Sequence, residues 1–221
     1  MDNLNVYSFL KEIPYGSLLP NEEFKSLSVK NLTLGFGHMQ VFKDFNLKVL
    51  PNQKVLIQSE SGCGKSTLAK IIVNLNNDDY LGEIFYNKNK YNSDTVTVNK
   101  ISFLSEESIL FHDYKVQDIF EFSKLENLEK EKLLEIFQID FWNENQEFKD
   151  LSLRQKQRLL VLKSYIENKD IKIYDESFAN IDAKTRNKII KSLLKSDKTM
   201  IIISHHMPKN LVSLFDQVIN L

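Results

Sequence analysis

The chain has 221 residues and a formal net charge of −1, long enough for one domain with a sizeable core and too weakly charged to draw in nucleic acid through a global basic field. Its single cysteine excludes an intramolecular disulfide framework and fits a reducing, intracellular setting. The N-terminus lacks the basic flank and long apolar core of a signal peptide, and no apolar run reaches membrane-spanning length, so a membrane role is expected to come through a partner.

Residues 1–25, with Pro14, Gly16 and Pro20, read as a linker. From Leu27, "SLSVKNLTL" and "DFNLKVL" alternate apolar and polar residues as half-buried antiparallel strands do, and "KVLIQ" is a short apolar run suited to a central strand. After Gly64 the spacing turns helical, with Leu68, Ile71, Ile72 and Leu75 on one face. Short strands follow at "GEIFY" and "ISFL". Residues 113–167 read mainly as helix, including the charge-rich "KLENLEKEKLLEIF", whose inward positions are expected at Leu125, Leu128, Leu133, Leu134 and Phe137. Then "IKIYDES" and "TMIIISHH" supply two apolar strands separated by the helical "AKTRNKIIKSLLK". Strands alternating with helices predict an α/β domain at residues 26–221: an antiparallel β lobe, a mostly parallel core sheet covered on both sides, and a helical lobe.

Between the strand "KVLIQ" and the following helix lies "SESGCGKST", residues 59–67. A glycine-rich turn at a helix start leaves backbone N–H groups converging on one spot, with the helix dipole adding positive potential, which suits phosphate oxygens. Gly62 and Gly64 permit the turn, Lys65 can reach outer phosphates, and the Ser66 hydroxyl can bind Mg²⁺. Cys63 is a small filler between the glycines. Ser59 replaces the first glycine of G-x-x-x-x-G-K-[ST] and is expected to strain the turn, since serine lacks glycine's freedom at positive φ.

In "IKIYDESFANID", Asp175 and Glu176 fall at the end of a buried strand, the edge where open α/β sheets hold ligands. The aspartate can organise Mg²⁺ through its water shell, and the glutamate can orient or deprotonate an attacking water. Another strand end offers His205 and His206, where a histidine can contact a terminal phosphate and help hold that water.

Together these segments resemble the nucleotide-binding domain of ATP-binding-cassette (ABC) transporters, from about Leu27 to Leu221. The resemblance implies a P-loop NTPase fold with ATP and Mg²⁺ as ligands. "SESGCGKST" resembles the Walker A motif, whose nucleotide contacts fall on Ser61, Gly62, Cys63, Gly64, Lys65, Ser66 and Thr67. "IKIYDE" resembles Walker B, with Asp175 for the metal and Glu176 as general base. "ANID" matches the D-loop through Asp182, "ISHH" the switch histidine through His205, and Phe36 the aromatic residue on which adenine stacks. "DLSLRQKQRL" sits where the family keeps L-S-G-G-Q and retains Ser152 and Gln155, which would cap a nucleotide on a second nucleotide-binding domain.

Besides Ser59, three positions depart from the family. Leu153 and Arg154 replace both signature glycines, and Glu106 stands where the Q-loop glutamine approaches the metal. The resemblance implies an ATPase at the cytoplasmic face of a membrane, partnered by a second such domain and a transmembrane domain, with no nucleic acid. A regulatory half that binds ATP with little hydrolysis is the competing reading, and the four departures at 59, 106, 153 and 154 favour it. The N-terminal segment resembles the lead-in to an exporter's cassette, of the peptide-exporting type, whereas "LFHDYKVQDIF" resembles importer ATPases.

Overall fold

A computed structural model describes residues 17–36, 39–59, 62–75, 79–106, 115–120, 123, 125–141, 143 and 145–221. In chain order the first half comprises β1 (Ser17–Leu18), β2 (Leu27–Phe36), β3 (Met39–Val49), β4 (Lys54–Gln58), α1 (Lys65–Ile72), β5 (Leu81–Tyr86), β6 (Asn89–Lys90), β7 (Thr95–Val96) and β8 (Ile101–Ser105). A 3₁₀ turn (Val116–Phe120), α2 (Asn127–Ile136), a second 3₁₀ turn (Phe148–Asp150) and α3 (Leu153–Ile166) follow. The chain closes with β9 (Ile171–Asp175), α4 (Ala183–Leu194), β10 (Thr199–Ser204), α5 (Lys209–Val212) and β11 (Gln217–Asn220).

The alternation in residues 27–49 produces an antiparallel sheet of order β3-β2-β5-β6. Its period is interrupted where Asn31 and Asp44 adopt φ of 50° and the register shifts. That shift lets Val29 and Leu32, an odd number of residues apart, both point inward, and the turned backbone N–H groups bond to Asn46 and Thr33 side chains across the pair.

The apolar runs form a parallel sheet of order β11-β4-β10-β9-β8. Its central strands β4, β9 and β10 are buried on both faces, which is why they read as continuous hydrophobic segments. Ile57, Ile173, Ile201 and Ile203 pack with the β lobe and α1, whereas Leu56, Tyr174, Met200 and Ile202 pack against the helical side. The sheet therefore separates two cores.

Register fixes the site. Gln58 lies beside Ser204, and Ile203 and Ser105 lie beside Asp175, so Ser59, Glu106, Glu176 and His205 all leave one edge of the sheet.

Three expectations change. Residues 17–24 pack onto the domain rather than standing off as linker: β1 pairs with β7, and Leu19 and Phe24 join the core. Helix α1 ends before Leu75, which is exposed, because Asn74 turns to φ 55°. In α2, Phe137 past the helix end is buried and Leu133 and Leu134 are half-buried, but Leu128 is 61% exposed.

Candidate active site

The loop after β4 delivers Gly64 to cap α1 at φ 84°, and Gly62 shares that angle. A Cβ on Gly64 would also lie 2.2 Å from Val41 Cγ1, whereas one on Gly62 would meet open space. Gly64 is thus required by both conformation and packing. Cys63 is half-buried, as is Thr67 on the first turn of α1, and Ser66 is exposed. Ser61 lies outside the described residues.

The Lys65 side chain is buried, and its ammonium sits 3.0 Å from the Ser59 carbonyl, 3.2 Å from Ser59 Oγ and 3.1 Å from His205 Nδ1. The strain expected at Ser59 is not there, since it is not among the positive-φ residues. It falls instead on Glu176, at φ 50°. That turn immediately after β9 is held by the Glu176 N–H donating to the Ile203 carbonyl at 3.1 Å. It places Glu176 Oε1 3.6 Å from His205 Nε2, too long for a hydrogen bond.

Glu176 Oε1 and Asp175 Oδ1 are buried without a hydrogen-bond partner. Burial lifts the Glu176 carboxyl above the usual range, with His205 and Lys65 pulling it back. Burial likewise raises Asp175, opposed by the Ser66 hydroxyl donating to its carboxylate and by Lys70 and Lys65, while exposed Glu106 pushes it further up. Two carboxylates, one lysine and one histidine therefore meet at the sheet edge. His206 is exposed beside them.

The remaining predicted positions lie elsewhere. Ser152 caps α3 and forms a reciprocal box with Gln155: the Ser152 N–H donates to Gln155 Oε1 at 2.9 Å, and the Gln155 N–H to Ser152 Oγ at 3.4 Å. Asp182 caps α4 by accepting from the Thr185 N–H at 3.0 Å, and the Thr185 backbone and side-chain hydrogen bonds hold its carboxyl below the usual range. Phe36 ends β2 opposite Met39, and its side chain lies outside the described residues.

Two residues escaped the sequence reading. Buried Gln157 on α3 donates to the Ser177 carbonyl at 2.6 Å, and the buried Ser177 hydroxyl donates to the Leu104 carbonyl at 2.6 Å. These bonds tie α3 to the residue after Glu176. The available signal was a glutamine at a helix position whose i+3 and i+4 neighbours, Leu160 and Val161, are apolar.

A model of the ABC transporter family matches residues 42–179, more than half of the chain and including the glycine loop, the α3 start and the acidic pair. The chain belongs to the ABC transporter family. It is an ATPase domain of that family, with the α/β architecture of its members. The ABC transporter ATP-binding protein MJ1023 of Methanocaldococcus jannaschii is 28% identical, over 83% of this chain and 69% of its own. The sulfate/thiosulfate import ATP-binding protein CysA of Pectobacterium atrosepticum is 27% identical, over 81% and 59%. The lactococcin-G-processing and transport ATP-binding protein LagD of Lactococcus lactis is 29% identical, over 76% and 26%. The chain thus spans under two thirds of the latter two relatives. A bacterial Atm1-family ABC exporter with ATP bound shares the fold at a TM-score of 0.74 and 20% identity, over 94% of this chain and 39% of that one.

ABC ATPase domains bind ATP, generally with Mg²⁺, and the donor set fits that ion. Among the described residues no group of three or more His, Cys, Asp or Glu gathers to hold a metal. Mg²⁺ needs fewer protein ligands than that, keeping several waters beside one or two carboxylates and substrate phosphates. The orphaned Asp175 Oδ1 and the adjoining Ser66 hydroxyl supply such a pair of hard oxygens, with Glu106 nearby in charge. Among the described residues no helix is long and apolar enough to cross a membrane.

Proposed function

We propose that this domain binds Mg-ATP on residues 61–67 and hydrolyses it with Glu176 as general base, in a head-to-tail pair with a second nucleotide-binding domain. The convergence of Lys65, Glu176 and His205 at one sheet edge carries this reading. Glu176 is suited to accept a proton from an attacking water because its buried Oε1 has no competing hydrogen bond. His205 stands beside it to hold that water, and Lys65 stabilises charge gathering on the outer phosphates. Ser66, Asp175 and Glu106 are the metal-side residues. Bound Mg²⁺ neutralises charge on the outer phosphate oxygens. Phe36 supplies the adenine platform. Ser152 and Gln155 cap the partner domain's nucleotide, with Asp182 at the same interface.

Closure on ATP and reopening after hydrolysis would drive a transmembrane partner from the cytoplasmic face of the membrane. Export, with peptides as cargo, is supported by the likeness of the N-terminal segment to exporter lead-ins. An importer ATPase subunit is the alternative, and relatives named for import and for export occur side by side.

The test is Glu176→Gln, which keeps the shape and removes the base. ATP binding should persist while phosphate release falls by about a hundredfold or more, the scale of general-base catalysis. Retained turnover would remove Glu176 from the mechanism. One observation favours a weakly hydrolysing regulatory half: Leu153, in place of a signature glycine, is 62% exposed on the first turn of α3, with Arg154 exposed beside it. Glycine at both positions should then raise turnover strongly. Unchanged turnover leaves the hydrolytic reading standing.

A further inference from the structure

The Ser59 hydroxyl has no part in the chemistry above, yet it lies 3.2 Å from the Lys65 ammonium. The same ammonium meets the Ser59 carbonyl at 3.0 Å and His205 Nδ1 at 3.1 Å. An ammonium carries only N–H donors, so the Ser59 hydroxyl oxygen accepts from it. A glycine at position 59, the residue of the common phosphate-loop pattern, would offer its carbonyl and no hydroxyl. This chain therefore adds an acceptor to the lysine of the phosphate loop.

We propose that Ser59 is a positioning residue that holds Lys65 against the loop and competes with the outer phosphates of ATP for its ammonium. The inference rests on residues 62–67 being the phosphate loop. Lys65 is buried, so its hydrogen bonds act where little water screens or replaces them, and a bond to a charged donor is roughly twice as strong as a neutral one. Phosphate, carrying full negative charge, still displaces the hydroxyl. The displacement offsets part of the nucleotide's binding free energy, and the offset disappears when the hydroxyl is removed. Ser59 stands outside the positive-φ region, so alanine fits its backbone as serine does.

The test is equilibrium binding of Mg-ATP to the full chain carrying Ser59, Ser59→Ala, Ser59→Gly or Ser59→Thr. Ser59→Ala and Ser59→Gly should each tighten ATP binding roughly ten- to a hundredfold, the worth of one hydrogen bond to a charged group. Ser59→Thr keeps a hydroxyl and should retain wild-type affinity, an outcome that a purely structural role for the side chain does not produce. Unchanged or weaker ATP binding in the alanine and glycine variants overturns the proposal, as does equal tightening by threonine. If the wild-type chain binds no ATP, the phosphate-loop reading beneath the proposal fails instead.

Discussion

Glu176 is the residue at which local cost and proposed function coincide. It is a non-glycine at φ 50°, and its buried Oε1 lacks a hydrogen-bond partner. Both features oppose folding, and both serve a base that must face an incoming water. Glu176→Gly should therefore raise stability by roughly 1 kcal/mol in denaturant unfolding, since glycine accepts the left-handed backbone and removes the desolvated carboxyl. It should also abolish turnover. A less stable variant would mean that the turn is not strained. Lys65, Asp175, Glu176 and His205 were legible as candidates because glycine punctuation and apolar runs mark where each strand ends. The strain was read onto the wrong residue. Serine does avoid positive φ, but position 59 never demands it, and nothing local to Glu176 reveals that the chain must turn there to bond the Ile203 carbonyl.

At the level of elements, α3 links the segment in the signature position to the end of β9. Gln157 reaches from the helix to the Ser177 carbonyl, which leaves Glu176 in a chain segment held from both sides. Gln157→Leu preserves bulk and orphans a buried carbonyl. It should cost about 1–3 kcal/mol of stability. Turnover should fall several-fold with ATP affinity kept, as measured by phosphate release beside nucleotide titration, and wild-type turnover would exclude the coupling. The start of α3 was readable from the Ser152 to Gln155 spacing of a capping box. Gln157 was not, because a polar residue in "RQKQR" looks solvated until its neighbours are known to be buried. Similar reasons explain Leu128 and residues 17–24. Periodicity assigns a face to α2 without saying how far the packing layer extends, and the pairing of β1 with β7 is a long-range contact that prolines and glycine in the segment do not announce.

For the whole molecule, the parallel sheet gathers one ligand edge and, away from it, buries a lysine. Lys172 on β9 has no exposed surface, lies beside Ser102 and Met200, and donates to the Glu167 carbonyl. Burial pushes its ammonium down to about 7 from 10.5, opposed by the Glu167 carboxylate and reinforced by Lys198, Lys169 and Lys163. The unfolded chain binds more protons at this group between those values, so its burial penalty is full below about pH 7 and is relieved as pH rises towards 10.5. Lys172→Met should consequently be more stable than wild type at pH 7, with an advantage that shrinks by up to about 1.4 kcal/mol per pH unit on the alkaline side. A pH-independent difference in denaturant unfolding would contradict this. The layered α/β plan was legible from alternating strands and helices. The buried lysine was hidden because a lysine stem is long enough to carry its ammonium out of a buried strand, and only the packed sheet shows that Lys172 does not reach solvent. The most direct measurement is phosphate release from Mg-ATP, per molecule, across a wide range of protein concentration, beside Glu176→Gln. Turnover per molecule should rise with concentration and vanish in the variant, as a site completed by a second copy requires. Tight ATP binding with no turnover at any concentration would contradict hydrolysis by paired copies of this chain.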